Sequence, residues 1–128
     1  GGGFRVLRRG RACVVVAVGP TLGPVLRATA GLDVTVLHAA TVRPFDEITL
    51  RTAALAADHP DVVLVEPHLP GASARHVART LVHVPHRLLA LGLDGDEPGL
   101  ADAVRRFPRQ DPRDPRDPRD PLDPNGGV

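Results

Sequence analysis

Val34-Thr35-Val36-Leu37-His38-Ala39-Ala40-Thr41-Val42-Arg43-Pro44-Phe45-Asp46-Glu47-Ile48-Thr49-Leu50 is the stretch on which the fold turns. It opens as a β-branched run, Val34-Thr35-Val36, the composition of a strand. A short linker leads to Arg43-Pro44. Proline pushes the residue before it out of the helical region and has no amide for a ladder, so the strand ends ahead of it. Asp46 offers a helix N-cap, and Glu47 places an anion in the first turn, where the helix dipole favours it. One segment thus holds a strand end, a fixed corner and a helix start. The rest of the chain repeats that strand-then-helix unit on both sides of it.

Upstream, the run from Ala12 through Cys13, Val14, Val15, Val16 and Ala17 to Val18 is continuously apolar, as expected of a strand covered on both faces. Gly19-Pro20-Thr21 ends it. Leu22, Val25, Leu26 and Thr29 fall at helical spacing, with Pro24 tolerated in the first turn and Gly31 as a stop. Residues 4–7 read either as a short edge strand or as an approach segment, broken at Gly10. Downstream, the central helix is expected from Asp46 to about Ala57, and His59-Pro60-Asp61 breaks it. Val62-Val63-Leu64-Val65 is a third buried strand, stopped by Glu66-Pro67-His68. After the Pro70-Gly71 turn, Ala74, Val77, Ala78 and Leu81 mark an amphipathic helix. Arg87-Leu88-Leu89-Ala90-Leu91 is a fourth strand, residues 92–98 a loop, and Leu100, Ala103, Val104 and Phe107 the stripe of a last helix ended by Pro108. Strands alternating with helices imply parallel pairing through right-handed crossovers, hence an α/β three-layer sandwich with a mostly parallel sheet. Val14, Val36, Val63 and Leu89 are expected side by side in it. The order of the strands is not legible.

A length of 128 residues bounds the chain to one domain with a real core. No apolar run is as long as a membrane span, and the basic N-terminus lacks the apolar middle of a signal peptide, so a cytoplasmic setting is expected. The single cysteine, Cys13, lies in an apolar run and reads as a buried, inert thiol. Arginine is the sole basic residue besides histidine; lysine and methionine are absent. A chain with no initiator methionine is expected to be processed or a piece of something longer. A net charge of +1 and 2% aromatics give no footing for nucleic acid or an anionic membrane. The end of the chain differs in kind. Asp-Pro-Arg occurs three times from Asp111 to Arg119, and residues 111–125 carry five aspartates against three arginines. Proline at every third place forbids helix and ladder, and nothing apolar offsets the entropy of ordering, so a disordered, solvated tail is expected. The organisation that follows is a leader over residues 1–11, an α/β domain over 12–108 and a tail over 109–128.

In such sheets ligands meet the loops at the carboxyl ends of the strands. Those loops hold Thr21, His38, Arg43, Glu66, His68 and Asp94. Glu66 and His68 with His38 would offer two imidazoles and a carboxylate to a metal. No second spaced pair fixes such a geometry, and surface loop residues bonded to backbone groups are the plainer reading. Ser73 stands outside any Gly-x-Ser-x-Gly elbow and is expected to cap the helix that follows. Gly19-Pro20-Thr21-Leu22-Gly23 fails the Gly-x-Gly-x-x-Gly pattern, and Pro20 and Pro24 remove amides that a phosphate would use. His59, His76, His83 and His86 are scattered and read as solvated. No catalytic, cofactor-binding or metal-binding residue is assigned.

At these residues the chain resembles the C-terminal domain of transketolase-like, thiamine-diphosphate-dependent enzymes, the domain that also closes deoxyxylulose-phosphate synthase and the beta subunits of 2-oxo acid dehydrogenases. The family's leader and glycine-ended valine strand have counterparts in Leu7-Arg8-Arg9-Gly10 and Val14-Val15-Val16-Ala17-Val18-Gly19. Its basic-proline-aromatic-aspartate corner corresponds to Arg43-Pro44-Phe45-Asp46. Its strand ending in acid and histidine, and the glycine turn after it, correspond to Val65-Glu66-Pro67-His68 and Gly71-Ala72-Ser73. The similarity runs from about Arg5 to Phe107, in order. Two departures stand out: Ala72 replaces the second glycine of the turn, and Pro67 replaces the second acid.

The resemblance implies a non-catalytic third domain that serves subunit assembly and domain packing. It implies thiamine diphosphate and magnesium for the complete enzyme and none bound by this chain alone. The Gly-Asp-Gly segment that holds magnesium and diphosphate in the family is missing; Asp94-Gly95-Asp96 has the wrong order. The implied partners are the polypeptide or domains carrying the diphosphate- and pyrimidine-binding parts, with a homodimer as a further expectation. Thr21, His38, Arg43, Asp46, Glu66, His68, Gly71 and Asp94 are the candidate interface or ligand-loop residues. Two other readings stand beside this one: a free-standing small-ligand or nucleotide-binding α/β module, and a degenerate gene product without function.

Overall fold

The computed structural model describes residues 3–109. In chain order the elements are β1 (Arg5–Arg8), β2 (Val14–Val18), a 3-10 turn (Gly19–Thr21), α1 (Leu22–Ala28), β3 (Thr35–Ala39), α2 (Glu47–Ala56), β4 (Val62–Glu66), α3 (Ala74–Thr80), β5 (Leu88–Gly92) and α4 (Glu97–Arg106). The strands form one sheet in the order β1-β3-β2-β4-β5. All neighbours pair in parallel except β1, which joins β3 antiparallel at the edge. Of the two readings of residues 4–7, the edge strand is the one observed. Expectations for the Asp-Pro-Arg segment fall outside the described residues.

β2 explains why the run from Cys13 to Val18 is apolar at every position. Its side chains alternate between two layers, and both are covered. Val14, Val16 and Val18 pack with Leu37, Leu64, Leu50 of α2 and Val77 of α3. Val15 and Ala17 pack with Val36, Val63, Val25 of α1 and Leu100 and Val104 of α4. Helices therefore cover the sheet on both sides, the three-layer α/β sandwich expected from the alternation. Each buried valine or leucine contributes roughly 1.5–3 kcal/mol of transfer free energy.

Three local expectations are corrected. The row across the sheet is Val15, Val36, Val63 and Leu89. Val14 instead pairs with Thr35 and Val62, and the one-residue offset sends its side chain to the opposite layer. Gly92 is the last residue of β5 rather than the first of a loop; the His68 carbonyl oxygen approaches it so closely that a Cβ would collide. Ala78 is exposed, so the buried stripe of α3 is Val77, Thr80 and Leu81.

Candidate functional site

The carboxyl edge of the sheet is where an α/β fold of this kind takes a ligand, at the crevice where successive connections leave in opposite directions. Here β2 leads away toward β3 and β4 leads away toward β5, so the crevice lies between β2 and β4. Thr21 fills it. The residue is fully buried, and its hydroxyl lies 3.0 Å from the Val18 carbonyl oxygen and 3.3 Å from that of Val65. One side chain thereby ties the ends of both strands together. Between β2 and β3, His38 Nε2 donates to the Gly19 carbonyl at 3.0 Å. Thr21 and His38, two of the residues expected at the ligand edge, bond the protein's own backbone.

Glu66 corrects the surface-loop reading. It is the last residue of β4 and only 5% exposed. Its carboxylate accepts the Ser73 amide at 3.2 Å and the Ser73 hydroxyl at 3.0 Å, and its carbonyl accepts the Leu93 amide at 2.8 Å. Ser73 precedes α3 without capping it through its side chain, contrary to expectation, because its hydroxyl is drawn to this buried carboxylate. Gly71 adopts φ +82°, a left-handed turn open to glycine, and aims the segment back toward α3. Arg43, His68 and Asp94 remain exposed. A shallow cavity of about 230 Å³ is lined by Glu66, Pro67, His68, Leu69 and Ala72. Among the described residues no three His, Cys, Asp or Glu side chains gather where they would hold a metal ion. Among them, too, no helix is long and apolar enough to cross a membrane.

The Arg43-Pro44-Phe45-Asp46 corner does different work. The Arg43–Pro44 peptide bond is cis. Asp46 caps α2: its carboxylate accepts the Thr49 amide at 3.1 Å and the Thr49 hydroxyl at 2.6 Å. The same carboxylate accepts the Phe4 amide at 2.9 Å. These bonds, led by the Thr49 hydroxyl, hold the Asp46 carboxyl below its ordinary pKa. Phe45 meets Phe4 edge-on at 5.1 Å and stacks on His76 at 5.1 Å. One aspartate thus fastens the arriving N-terminal strand to the start of α2.

Beside that corner lies an exposed apolar face of the kind the assembly reading expects, at residues the sequence did not single out. Ile48 is 80% exposed and Leu55 53% exposed, although both belong to α2. They lie seven residues apart on one outward face, on either side of the exposed Thr52, while Leu50 and Ala54 face the core. Next to that face, a groove of about 380 Å³ runs between α2 and β1. Val6, Ile48, Ala53 and Ala56 line it together with Arg9 and the threonines Thr35, Thr49 and Thr52. The signal available in the sequence was the Ile48–Leu55 spacing, out of phase with the Leu50–Ala54 core pair.

At the opposite, amino end of the strands sits Asp61, wholly buried. It accepts the Arg87 amide and guanidinium, each at 2.9 Å, and Arg109 Nε at 2.9 Å. Burial pushes its carboxyl up, but the bonds from Arg109 and Arg87 outweigh burial and leave it below the ordinary value. Arg87 also lies 4.2 Å over the Phe107 ring and donates to the Phe107 carbonyl at 2.7 Å. This is a clasp that closes the end of α4 on the sheet.

The transketolase C-terminal domain family matches residues 2–104 of the chain. An uncharacterised 33.6 kDa protein in the fasciation locus of Rhodococcoides fascians is 54% identical over 93 residues, which is 73% of this chain and 30% of that protein. The 1-deoxy-D-xylulose-5-phosphate synthases of Thermotoga petrophila and Thermotoga maritima are each 41% identical over 64 residues, half of this chain and a tenth of theirs. The chain thus spans less than a third of the length of these relatives. The alternating sandwich, the valine strand closed by Gly19, the Arg43-Pro44-Phe45-Asp46 corner and the family match agree: this chain belongs to the transketolase C-terminal domain family.

Proposed function

We propose that this chain is the assembly domain of a transketolase-like, thiamine-diphosphate-dependent transferase, and that it turns over no substrate alone. The observation that carries the reading is the outer face of α2, where Ile48 and Leu55 stand in solvent beside an apolar groove. Large apolar side chains grouped beside a groove mark a surface that another protein covers. The sealed crevice at Thr21 adds support, because it removes the usual ligand position of the fold. Thiamine diphosphate and magnesium belong, in this reading, to partner domains that hold the diphosphate and the pyrimidine, in a cytoplasmic setting. The eight loop residues then serve the domain's own architecture and its packing rather than a bound small molecule.

The alternative, a free-standing nucleotide or small-ligand module, places binding at the cavity beside His68. Thermal unfolding with and without nucleotides, sugar phosphates and thiamine diphosphate separates the two. The assembly reading expects no shift of the isolated chain with any of them. A ligand at a hundred times its dissociation constant would add about 2.7 kcal/mol and a clear rise in Tm, and would overturn the reading.

A further inference from the structure

We propose that the free edge of β1, with the groove between it and α2, takes an extended acidic segment of a partner polypeptide. The inference deepens the assembly reading and rests on it. β1 is the outermost strand of the sheet, so among the described residues no strand pairs with its outward backbone groups. Such an edge is where a peptide adds as a further strand through main-chain hydrogen bonds. The groove alongside gives the peptide's inward side chains an apolar seat against Val6, Ile48 and Ala53.

Charge chooses the occupant. Arg5 and Arg9 are exposed and form no ion pair among the described residues. The acids of this corner are already engaged: Asp46 with Thr49 and the Phe4 amide, Glu47 with Arg79 at 2.8 Å. Arg9 lines the groove and Arg5 lies on the other face of β1, so an added strand that alternates acidic and apolar side chains at period two sets its acids toward Arg5 and its apolar side chains toward the groove. A second copy fits poorly, because antiparallel pairing of two β1 edges brings Arg5, Arg8 and Arg9 against the same arginines. The Asp-Pro-Arg repeats of this chain fit poorly as well, since proline at every third place withdraws amides that a ladder needs.

The test uses the full 128-residue chain and two blocked heptapeptides, one of alternating glutamate and valine, one of alternating lysine and valine. Calorimetry and amide chemical shifts are followed at low and high salt. Expected are binding of the acidic peptide alone, shifts centred on Arg5, Val6 and Ile48, and weakening as salt is raised. The Arg5→Glu/Arg9→Glu variant, with unchanged Tm, is expected to bind about tenfold more weakly or worse. Equal binding of both peptides, or undiminished binding by that variant, overturns the inference. So does a dimer of the free chain in sedimentation that Ile48→Glu splits, since a second copy then occupies the face. If Ile48→Glu abolishes co-purification with the partner domains while the acidic peptide moves no amide of β1, the assembly reading stands and this inference falls.

Discussion

Asp61 is a carboxylate with no exposure and two arginines, and its removal tests what the clasp contributes. Asp61→Asn removes the carboxylate charge to which the Arg87 and Arg109 guanidinium groups bond. A fully buried pair broken this way costs about 3–5 kcal/mol; Arg87 is partly exposed, so about 2–3 kcal/mol is expected. The pH dependence has a defined sign. The folded carboxyl lies below 3.8, so its stabilisation is complete above that value and is lost as pH falls through it toward the folded pKa. Urea unfolding between about pH 3 and 7 is expected to show a steeper acid decline for the native chain than for Asp61→Asn. Parallel curves would contradict the clasp. Cys13 is the second case: burial pushes its thiol up to about 12. A thiol reagent at pH 8 is expected to modify it only as fast as the chain unfolds, and rapid labelling of the native protein would be the opposite result.

At the scale of elements, the strands were legible and their neighbours were not. Val14 to Val18 and Val62 to Val65 declare buried strands because no polar residue interrupts them. Asp46 declares the start of α2 by its chemistry alone, and the cap is observed. Ser73 and Glu66 show where such reading stops. Their partnership spans seven residues across a turn, and a serine before a helix gives no sign that a buried carboxylate will claim its hydroxyl. Gly92 is similar: its type suggests a loop, and its cause, the His68 carbonyl against its Cα, is a tertiary contact. Two predictions belong here. Asp46→Ala is expected to cost about 1–2 kcal/mol through the lost cap, and to raise hydrogen exchange across β1 because the Phe4 amide loses its acceptor. Exchange confined to α2 would contradict the link. Gly92→Ala forces β5 away from the segment after β4, and a fall in stability of more than about 1 kcal/mol in denaturant unfolding is expected; an unchanged midpoint would contradict the close approach.

For the whole molecule, the alternation of apolar runs and helical stripes was enough to reach the sandwich, because parallel strands need covered crossovers. The site was less legible. Six polar residues share the carboxyl edge by topology, yet Thr21, His38 and Glu66 turn inward, and only hydrogen-bond geometry reveals it. The exposed stripe of α2 escaped because isoleucine and leucine in a helix ordinarily read as core. Its consequence is that Ile48→Glu should leave the Tm of the isolated chain nearly unchanged, as a substitution at a solvent-facing site does, while weakening any association. The most direct measurement is size exclusion, with turnover assayed across the peaks, of this chain mixed with a polypeptide carrying the diphosphate- and pyrimidine-binding domains of a transketolase-like enzyme. A shared peak, with ketol transfer present there and absent from either component alone, is the predicted result. Separate elution, with full turnover by the partner unaided or by this chain unaided, would contradict it.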